Sequence, residues 1–480
     1  MLGWVRNLVS SFRLGDERRG LLTKMLRGRF DSAVTTGGNY RHWANSDGLS
    51  ADAAASPEVR RILRNRCRYE VANNSYARGI ISTLANDIVG TGPRLQFLAE
   101  ADEINRLIEK EFSKWAKAVG LAEKLRTLRM CLGEDGEGFF VLANNAELKT
   151  KVKLDLRLIE ADQVATPSLE TLGPLSVDGI VFDKYGNPKE YHVLKSHPGD
   201  VDFFDLEYER IDAKFMVHLF KADRPGQSRG VPEITPALPL FAQLRRYTLA
   251  VLGAAETAAD FAGILYTDAP ANGEADEVEA MDTIELEARS LLTMPSGWKM
   301  GQVKAEQPAT TYAEFKHELL NEIARCLNMP FNVAAGNSSG YNYASGRLDH
   351  QVYFKSIRIG QAHIENVVLD KIFDAWMQEA ILIEGYLPQE LRMNGAEWPH
   401  QWFWDGQEHV DPAKEAKAQA MRLASMTTNL AGEYAKHGKD WETELRQIAK
   451  EQKLMVELGL SVVAATVGRE EETKFNESDI

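Results

Sequence analysis

The residues of this chain best suited to chemistry carry no spacing that chemistry would need. Ten histidines are scattered along 480 residues, and His197, His218 and His317 read as surface or hydrogen-bonded structural side chains. No HExxH pair is present to hold a catalytic zinc ion, and no GxxxxGK[ST] loop to cradle phosphates, so hydrolysis of nucleotide by a P-loop is not expected. The run GEDGEG at 133–138 has carboxylates among glycines, but it lacks the alternating ligands and closing acid of a calcium loop, and acids repel phosphate. It reads as a turn entering the strand GFFVLAN. Glu160 and Asp162 form a carboxylate pair without a neighbouring base or nucleophile to work with. The expectation is no catalytic residue, no metal and no cofactor.

Composition narrows the classes further. Apolar content of 44% and charged content of 26% are globular values, and the length suits about three domain-sized units. A net charge of −14 favours solubility and opposes whole-surface affinity for DNA or anionic membranes. Cys67, Cys131 and Cys326 are few and far apart, which predicts reduced thiols in a cytoplasmic setting. The start, MLGWVRNLVSSFRL, has no signal-peptide core, and the most apolar helix, near 240–265, carries Glu256 and Asp260; a soluble, intracellular product is expected.

The elements that must position any site follow from periodicity. TYAEFKHELLNEIARCLN places Tyr312, Phe315, Leu319, Ile323 and Leu327 on one helical stripe, and Met329-Pro330 ends it. The next residues, FNVAAGNSSGYNYASG, are rich in Gly, Asn and Ser and predict a loop. Helical periodicity resumes from Ser345 to Glu384, about 60 Å at 1.5 Å per residue, with a bend expected at Gly360. An earlier helix, with Leu240, Leu244, Tyr247, Val251, Ala255 and Ala258 inward, is separated from the one at 311–328 by a segment whose residues 268–287 hold eight acids and no base. Within it SLLTMP is strand-like, and Gly297 and Gly301 bracket a turn.

Toward the N-terminus, residues 1–30 hold seven Lys or Arg against Asp16 and Glu17, an exposed arm or a tether to nucleic acid or a partner. Residues 31–49 read as loop. Ser56-Pro57-Glu58 starts a helix, and Arg60, Arg61, Arg64, Arg66 and Arg68 predict a basic face, solvated or bridging subunits. Residues 101–132 read as helix, with Ile104, Leu107, Ile108, Phe112 and Trp115 on one side. Strands follow at GFFVLAN, LDLRLIEADQV and KFMVHLF, with a hairpin whose turn is Asp183–Pro188. Three tryptophans crowd Trp398–Trp404, and the chain from Asp411 onward is helical. The fold class is α+β.

Six of these segments resemble, in order, the lambda-type bacteriophage portal proteins: YEVANNSYARGIISTLANDIVGTGPRLQ, LIEADQV, FDKYGNPKEYHV, RGVPEITPAL, NMPFNVAAGNSSGYNYASGR and VDPAKEAKAQ. The family's glycine-and-serine turn after the last of them is replaced here by Ser425-Met426-Thr427-Thr428. The resemblance implies a portal fold: an arm at 1–55, a mixed α/β wing at 56–238, helical stem segments at 239–262 and 309–328, and a small α/β clip at 263–308. A tunnel loop would occupy 329–345, the long bent helix and its return to the wing 346–409, and a helical crown with its tail 410–480.

It also implies a ring of copies, twelve in this family, at one capsid vertex of the virion, assembled in the host cytoplasm. Double-stranded DNA would pass through without sequence reading. Implied partners are the terminase large subunit, capsid and scaffold proteins, and head-completion or tail adaptor proteins, with no membrane. On that reading Asn337, Ser338, Ser339, Tyr341 and Asn342 face DNA, and Lys316, Arg325 and Arg347 are channel charges. Asp276, Glu277 and Glu279 dock terminase. Two other classes stay open: a cytoplasmic enzyme with an unrecognised site, and a DNA-binding adaptor using Arg60–Arg68.

Overall fold

Capping and burial decide the first helices. In this computed structural model, which describes residues 36–166, 175–200, 207–260, 264–267, 298–301, 309–340, 342–388, 391, 398–406 and 412–460, two units separate at Ala54. The described part of the first is a run of turns, where Thr36 N–H donates to Asn39 Oδ1 at 2.6 Å, and a one-turn helix Ala51–Ala54. In the second unit, α1 (Pro57–Asn73) begins as expected, with the Ser56 hydroxyl accepting from Val59 N–H and proline in the first turn. Asn74 closes α1 and opens α2 (Ser75–Val89), its side chain accepting from Tyr76 N–H at 3.0 Å. The expected single helix over 101–132 is two, α3 (Asp102–Ala118) and α4 (Leu121–Glu134), broken where Gly120 takes φ 65°.

Three sheets of the second unit are antiparallel. Strand β1 (Arg94–Phe97) pairs across 300 residues of sequence with β11 (His400–Phe403), a pairing no local pattern announces. The three-stranded sheet has order β3 (Leu154–Ile159), β2 (Glu137–Asn144), β8 (Met216–Phe220). The four-stranded sheet has order β4 (Ser176–Val177), β5 (Ile180–Phe182), β6 (Pro188–Leu194), β7 (Tyr208–Asp212). The β5–β6 hairpin is the expected one. The strand read through LDLRLIEADQV stops at Ile159, because Ala161–Gln163 turns as a 3-10 segment capped by Glu160.

Period-two alternation along β2 divides two cores. Phe139 and Val141 join Ile180, Tyr191, Val193 and Met216 between the two larger sheets. Phe140 instead faces the main core of α2, α3, α4 and the helices below. That core is aromatic at its centre: Phe112 lies 5.2–5.7 Å from the rings of Trp115, Phe373, Trp376 and Trp402.

Two long helices leave this core. Helix α5 (Leu238–Asp260) buries Phe241 and Leu244, and nothing after them in its described side chains. Helix α6 (Ala309–Cys326) does the reverse, burying Leu320, Ile323 and Ala324 while Phe315 stays half-exposed. The two helices touch each other through Tyr247, which lies 5.5 Å from Tyr312 and 4.9 Å from Phe315. Between them Ile264–Thr267 (β9) and Trp298–Gly301 (β10) form an antiparallel pair, so the turn expected between Gly297 and Gly301 is a strand. SLLTMP and most of the acidic segment lie outside the described residues.

The chain then forms a short helix α7 (Phe331–Ala335) within the expected loop, followed by α8 (Tyr343–Ile364), a π-helical turn Glu365–Leu369, and α9 (Asp370–Leu382). The irregularity in the long helix is therefore at 365–369 and not at Gly360. Gly360 serves packing instead: a Cβ there would lie 3.0 Å from Ile88 Cδ1 on α2. The last helices, α10 (Pro412–Ala424), α11 (Leu430–Lys436) and α12 (Trp441–Glu457), are held to the body by polar contacts, Arg446 to Asp102 at 3.1 Å and Gln96 to Asp440 at 2.9 Å. In the turn after α10, Met426 takes φ 55°, the conformation a glycine adopts freely. Among the described residues no helix is long and apolar enough to cross a membrane.

Because Phe112 joins four aromatic neighbours, Phe112→Ala is expected to destabilise the chain by about 3–5 kcal/mol. Denaturant unfolding at matched protein concentration checks this; a loss below about 1 kcal/mol would mean the cluster relaxes around the gap.

Candidate functional site

The candidate loop begins where α6 ends. Asn328 takes φ 52°, Met329 and Pro330 are buried, and Ala334 N–H returns to Pro330 O at 3.0 Å to start α7. Gly336 (φ 62°) closes α7, and Asn337 N–H donates to Asn332 O at 3.0 Å. The Asn337 side chain then folds the tip, its Oδ1 accepting from Ser339 N–H at 2.9 Å. Asn332 Nδ2 lies 3.4 Å from Ser338 Oγ and 3.0 Å from His350 Nε2, which ties the loop to α8. Asn337, Ser338, Ser339 and Asn342 are all exposed, brought together as one neutral polar surface. Tyr341 lies outside the described residues, as do Asp276, Glu277 and Glu279.

Gly336-Asn337-Ser338-Ser339-Gly340 spells a GxSxG string, yet Ser338 follows a helix, not a strand, and its neighbour is an amide. The strand-to-helix turn that makes such a serine a nucleophile is missing.

The candidate channel charges separate into two kinds. Lys316 is held inside its own chain, its ammonium 4.9 Å from the Tyr76 ring centroid and 5.7 Å from that of Tyr312. Burial opposes its charge, and the two tyrosines outweigh that, so its pKa is raised. Arg325 and Arg347 are exposed, and neither guanidinium has a partner among the described residues.

The arginines of α1, expected to form one face, divide between the interior and solvent. Arg60, Arg64 and Arg68 recur every four residues and point inward, while Arg61 and Arg66 point to solvent. Arg60, fully buried, pairs with Asp178. Arg64 Nη2 donates to Asp162 Oδ1 at 2.8 Å. Arg68 meets Asp135 at 2.6 Å, Asp162 at 2.8 Å and Glu160 at 3.3 Å. At the centre Arg229 and Glu137 are both fully buried, with Arg229 Nη2 donating to Glu137 Oε1 at 2.6 Å and Nε to Oε2 at 2.8 Å. The remaining Arg229 protons go to the carbonyls of Val164, Ala161 and Asp178. Glu137 also accepts from Gly230 N–H at 3.0 Å and contacts His218 Nε2 at 3.0 Å. Burial alone would raise the Glu137 carboxyl; the Arg229 charge and the hydrogen bonds of His218 and Arg229 hold it well below its ordinary value. His218, stacked on Phe139 at 4.3 Å, is pushed down by burial.

So GEDGEG is a turn, but its last acid is the buried anchor of this network, which sequence spacing alone did not reveal. Gly136 and Gly230 are glycines because the two backbones cross here: a Cβ on Gly230 would lie 2.0 Å from Gly136 O. Glu160, Asp162 and His197 do converge, with ligand atoms within 4.8 Å. The Arg68 guanidinium already contacts both carboxylates, so the acids are neutralised by the chain itself.

A family model, phage portal protein of the lambda family, matches residues 36–361. The chain belongs to that family. Its portal relatives include a probable portal protein of Halomonas phage phiHAP-1, 26% identical over 427 residues, covering 83% of this chain and 81% of the relative. Among solved structures, one protein in the neck of a native GTA particle computed with C12 symmetry is 13% identical and covers 84% of this chain and 99% of its own, at a TM-score of 0.47. An HK97 family phage portal protein from Corynebacterium diphtheriae is 11% identical and covers 73% of this chain and 98% of its own, at a TM-score of 0.30. The span matched by the portal family contains the loop, the stem helices and every member of the charge network.

Removing Arg229 from this portal chain strands a buried carboxylate, so Arg229→Met is expected to cost about 3–5 kcal/mol at neutral pH. The sign of the pH response should also change. With its folded pKa depressed, wild-type Glu137 contributes stability above its unfolded value of about 4.3 and loses it as pH falls further. Without Arg229, burial raises the same carboxyl, and stability should rise as pH falls from neutral toward about 5. Denaturant unfolding between these limits distinguishes the two profiles; parallel profiles would remove Glu137 as the titrating group.

Proposed function

We propose that this chain is the portal subunit of a tailed phage: copies form a closed ring at one capsid vertex, and double-stranded DNA is packaged and ejected through its axis. The observation that carries this is membership of the portal family over 36–361. The loop 336–342 supplies the physical support. A channel lining that lets DNA slide must not neutralise many phosphates, because each neutralised phosphate adds salt-dependent affinity. A surface of Asn337, Ser338, Ser339 and Asn342 meets that requirement, and we assign it, with Tyr341, to the channel wall. Arg325 and Arg347, exposed at the two flanks, are assigned to positioning the duplex without reading bases. Lys316 takes no such role, since its own tyrosines hold it.

In this reading α5 and α6 are the stem, and the acidic segment between them is the clip. Asp276, Glu277 and Glu279 dock the terminase motor during packaging and adaptor proteins afterwards. The helices from Pro412 form the crown. No catalytic step is assigned to the chain. Binding of DNA through the α1 arginines is set aside, because Arg60, Arg64 and Arg68 are engaged within the chain.

Electron microscopy of the purified protein without DNA is expected to show rings with a central hole; uniform small particles across concentration and salt would count against the proposal. Deleting Gly336–Asn342 should leave the rings intact and abolish most DNA packaging or retention, whereas lost rings would mean the loop is an assembly element. Reversing Asp276, Glu277 and Glu279 to Lys should weaken terminase docking on the order of tenfold or more at low salt. Unchanged docking would move the clip elsewhere.

A further inference from the structure

Two helix faces that do not meet within one chain are complementary to each other. On α8 an exposed apolar row, Leu348 (65% exposed), Val352 (56%) and Ile359 (62%), falls within about 40° of arc on a helix turning 100° per residue. Lys355 and Arg358 border it, both exposed and without a charged partner among the described residues. On α6, Glu314, Glu318 and Glu322 recur every four residues along one exposed face beside Phe315 (50% exposed). Glu314 and Glu322 have no ion-pair partner among the described residues, and Glu318 touches only its neighbour His317, at 3.3 Å. The α8 face is thus an apolar strip whose nearest free charges are mainly basic, with Asp349 on its other side, and the α6 face is mainly acidic beside one half-exposed ring, with Arg325 at its end.

We propose that the α6 face of one copy packs on the α8 face of the next. The glutamates would pair with Lys355 and Arg358, and Phe315 would cover part of the Leu348–Val352–Ile359 row. The partner is a second copy of this chain because the acidic and basic halves are both on this sequence and point to different places on it. Two different surfaces joined head to tail make a heterologous contact, the kind that closes into a ring. The inference rests on the portal reading above and gives that ring a specific joint. Arg347, assigned to DNA, is not used.

The test uses full-length protein at low salt, examined by electron microscopy and sedimentation. Glu314→Lys, Glu318→Lys and Glu322→Lys together put like charge on both faces, and rings should be lost. Lys355→Glu with Arg358→Glu should lose them for the opposite reason. Carrying both sets in one chain restores opposite charge, and rings should return. Mixing the two defective proteins should also give rings, with alternating subunits, and this result requires both to be folded. Rings that survive either reversal, or that fail to return in the combined chain and in the mixture, overturn the joint while leaving the portal reading in place. A wild-type protein that never forms rings overturns both.

Discussion

The buried pair of Glu137 and Arg229 is the constraint on which the joining of α1 to the two larger sheets depends. A lone carboxylate or guanidinium loses several kcal/mol of solvation on leaving water, so neither residue is tolerable there without the other. Their arrangement is satisfied on every side. Arg229 forks onto both oxygens of Glu137 and gives its other protons to Val164, Ala161 and Asp178, while Gly230 and His218 complete the carboxylate. These partners come from widely separated parts of the chain. The turn before β2, the turn after β3, β8 and the approach to α5 can be joined only if all of them are in register. Arg60, Arg64 and Arg68 then extend the same charge balance to α1. The network thus fixes how the first helix and two sheets meet more than it adds stability, since a well-packed apolar cluster of the same volume would hold as strongly.

Parts of this were legible in the sequence, and the limits are physical. The helices at 57–73, 238–260 and 309–326 were visible because caps, prolines and a 3.6-residue apolar period act locally. The β5–β6 hairpin was visible for the same reason. The pairing of β1 with β11 was not, because its partners lie 300 residues apart and each strand has only four residues. The arginine face was misread because periodicity tells which residues share a side, not whether that side faces water or carboxylates. The four-residue spacing of Arg60, Arg64 and Arg68, next to buried Cys67 and Val71, was the available signal. Gly360 was taken as a bend because glycine loosens helices; here it admits Ile88, and the helix changes pitch five residues later. In the loop, composition predicts no helix, but Pro330 pre-sets the first turn of α7 and Ala334 is buried, so part of the segment is helical.

The same chain contrasts a closed region with an open one. Around Phe112 and Glu137, aromatic packing and ion pairs tie the side chains to one another within the chain. Along α5 beyond Leu244 and α6 before Leu320, the apolar side chains Leu249, Leu252 and Phe315 remain half-exposed or more. A monomer gains nothing from such faces, and contiguous exposed apolar surface marks interaction. The division suits a ring. On the proposed ring, the closed region sets the shape of one subunit, and the open helices meet the different faces of neighbouring copies.

That division also explains why the loop can be neutral. If copies close into a ring, any charge on a channel element is repeated in every subunit, so even one lysine per chain would become a belt of positive charge around the duplex. The cost of a belt is drag, because each phosphate passing it exchanges counterions for protein. Lys316 keeps its charge, but Tyr76 and Tyr312 hold that charge within the subunit. The tip itself carries amides and hydroxyls, which hydrogen-bond as readily to water as to phosphate. On the proposed reading, Arg325 and Arg347 at its flanks are the exposed charges that remain, and they set the upper limit of that drag. Strength is concentrated where the subunit must not deform, and weak polar contact is left where the passing polymer must not stop.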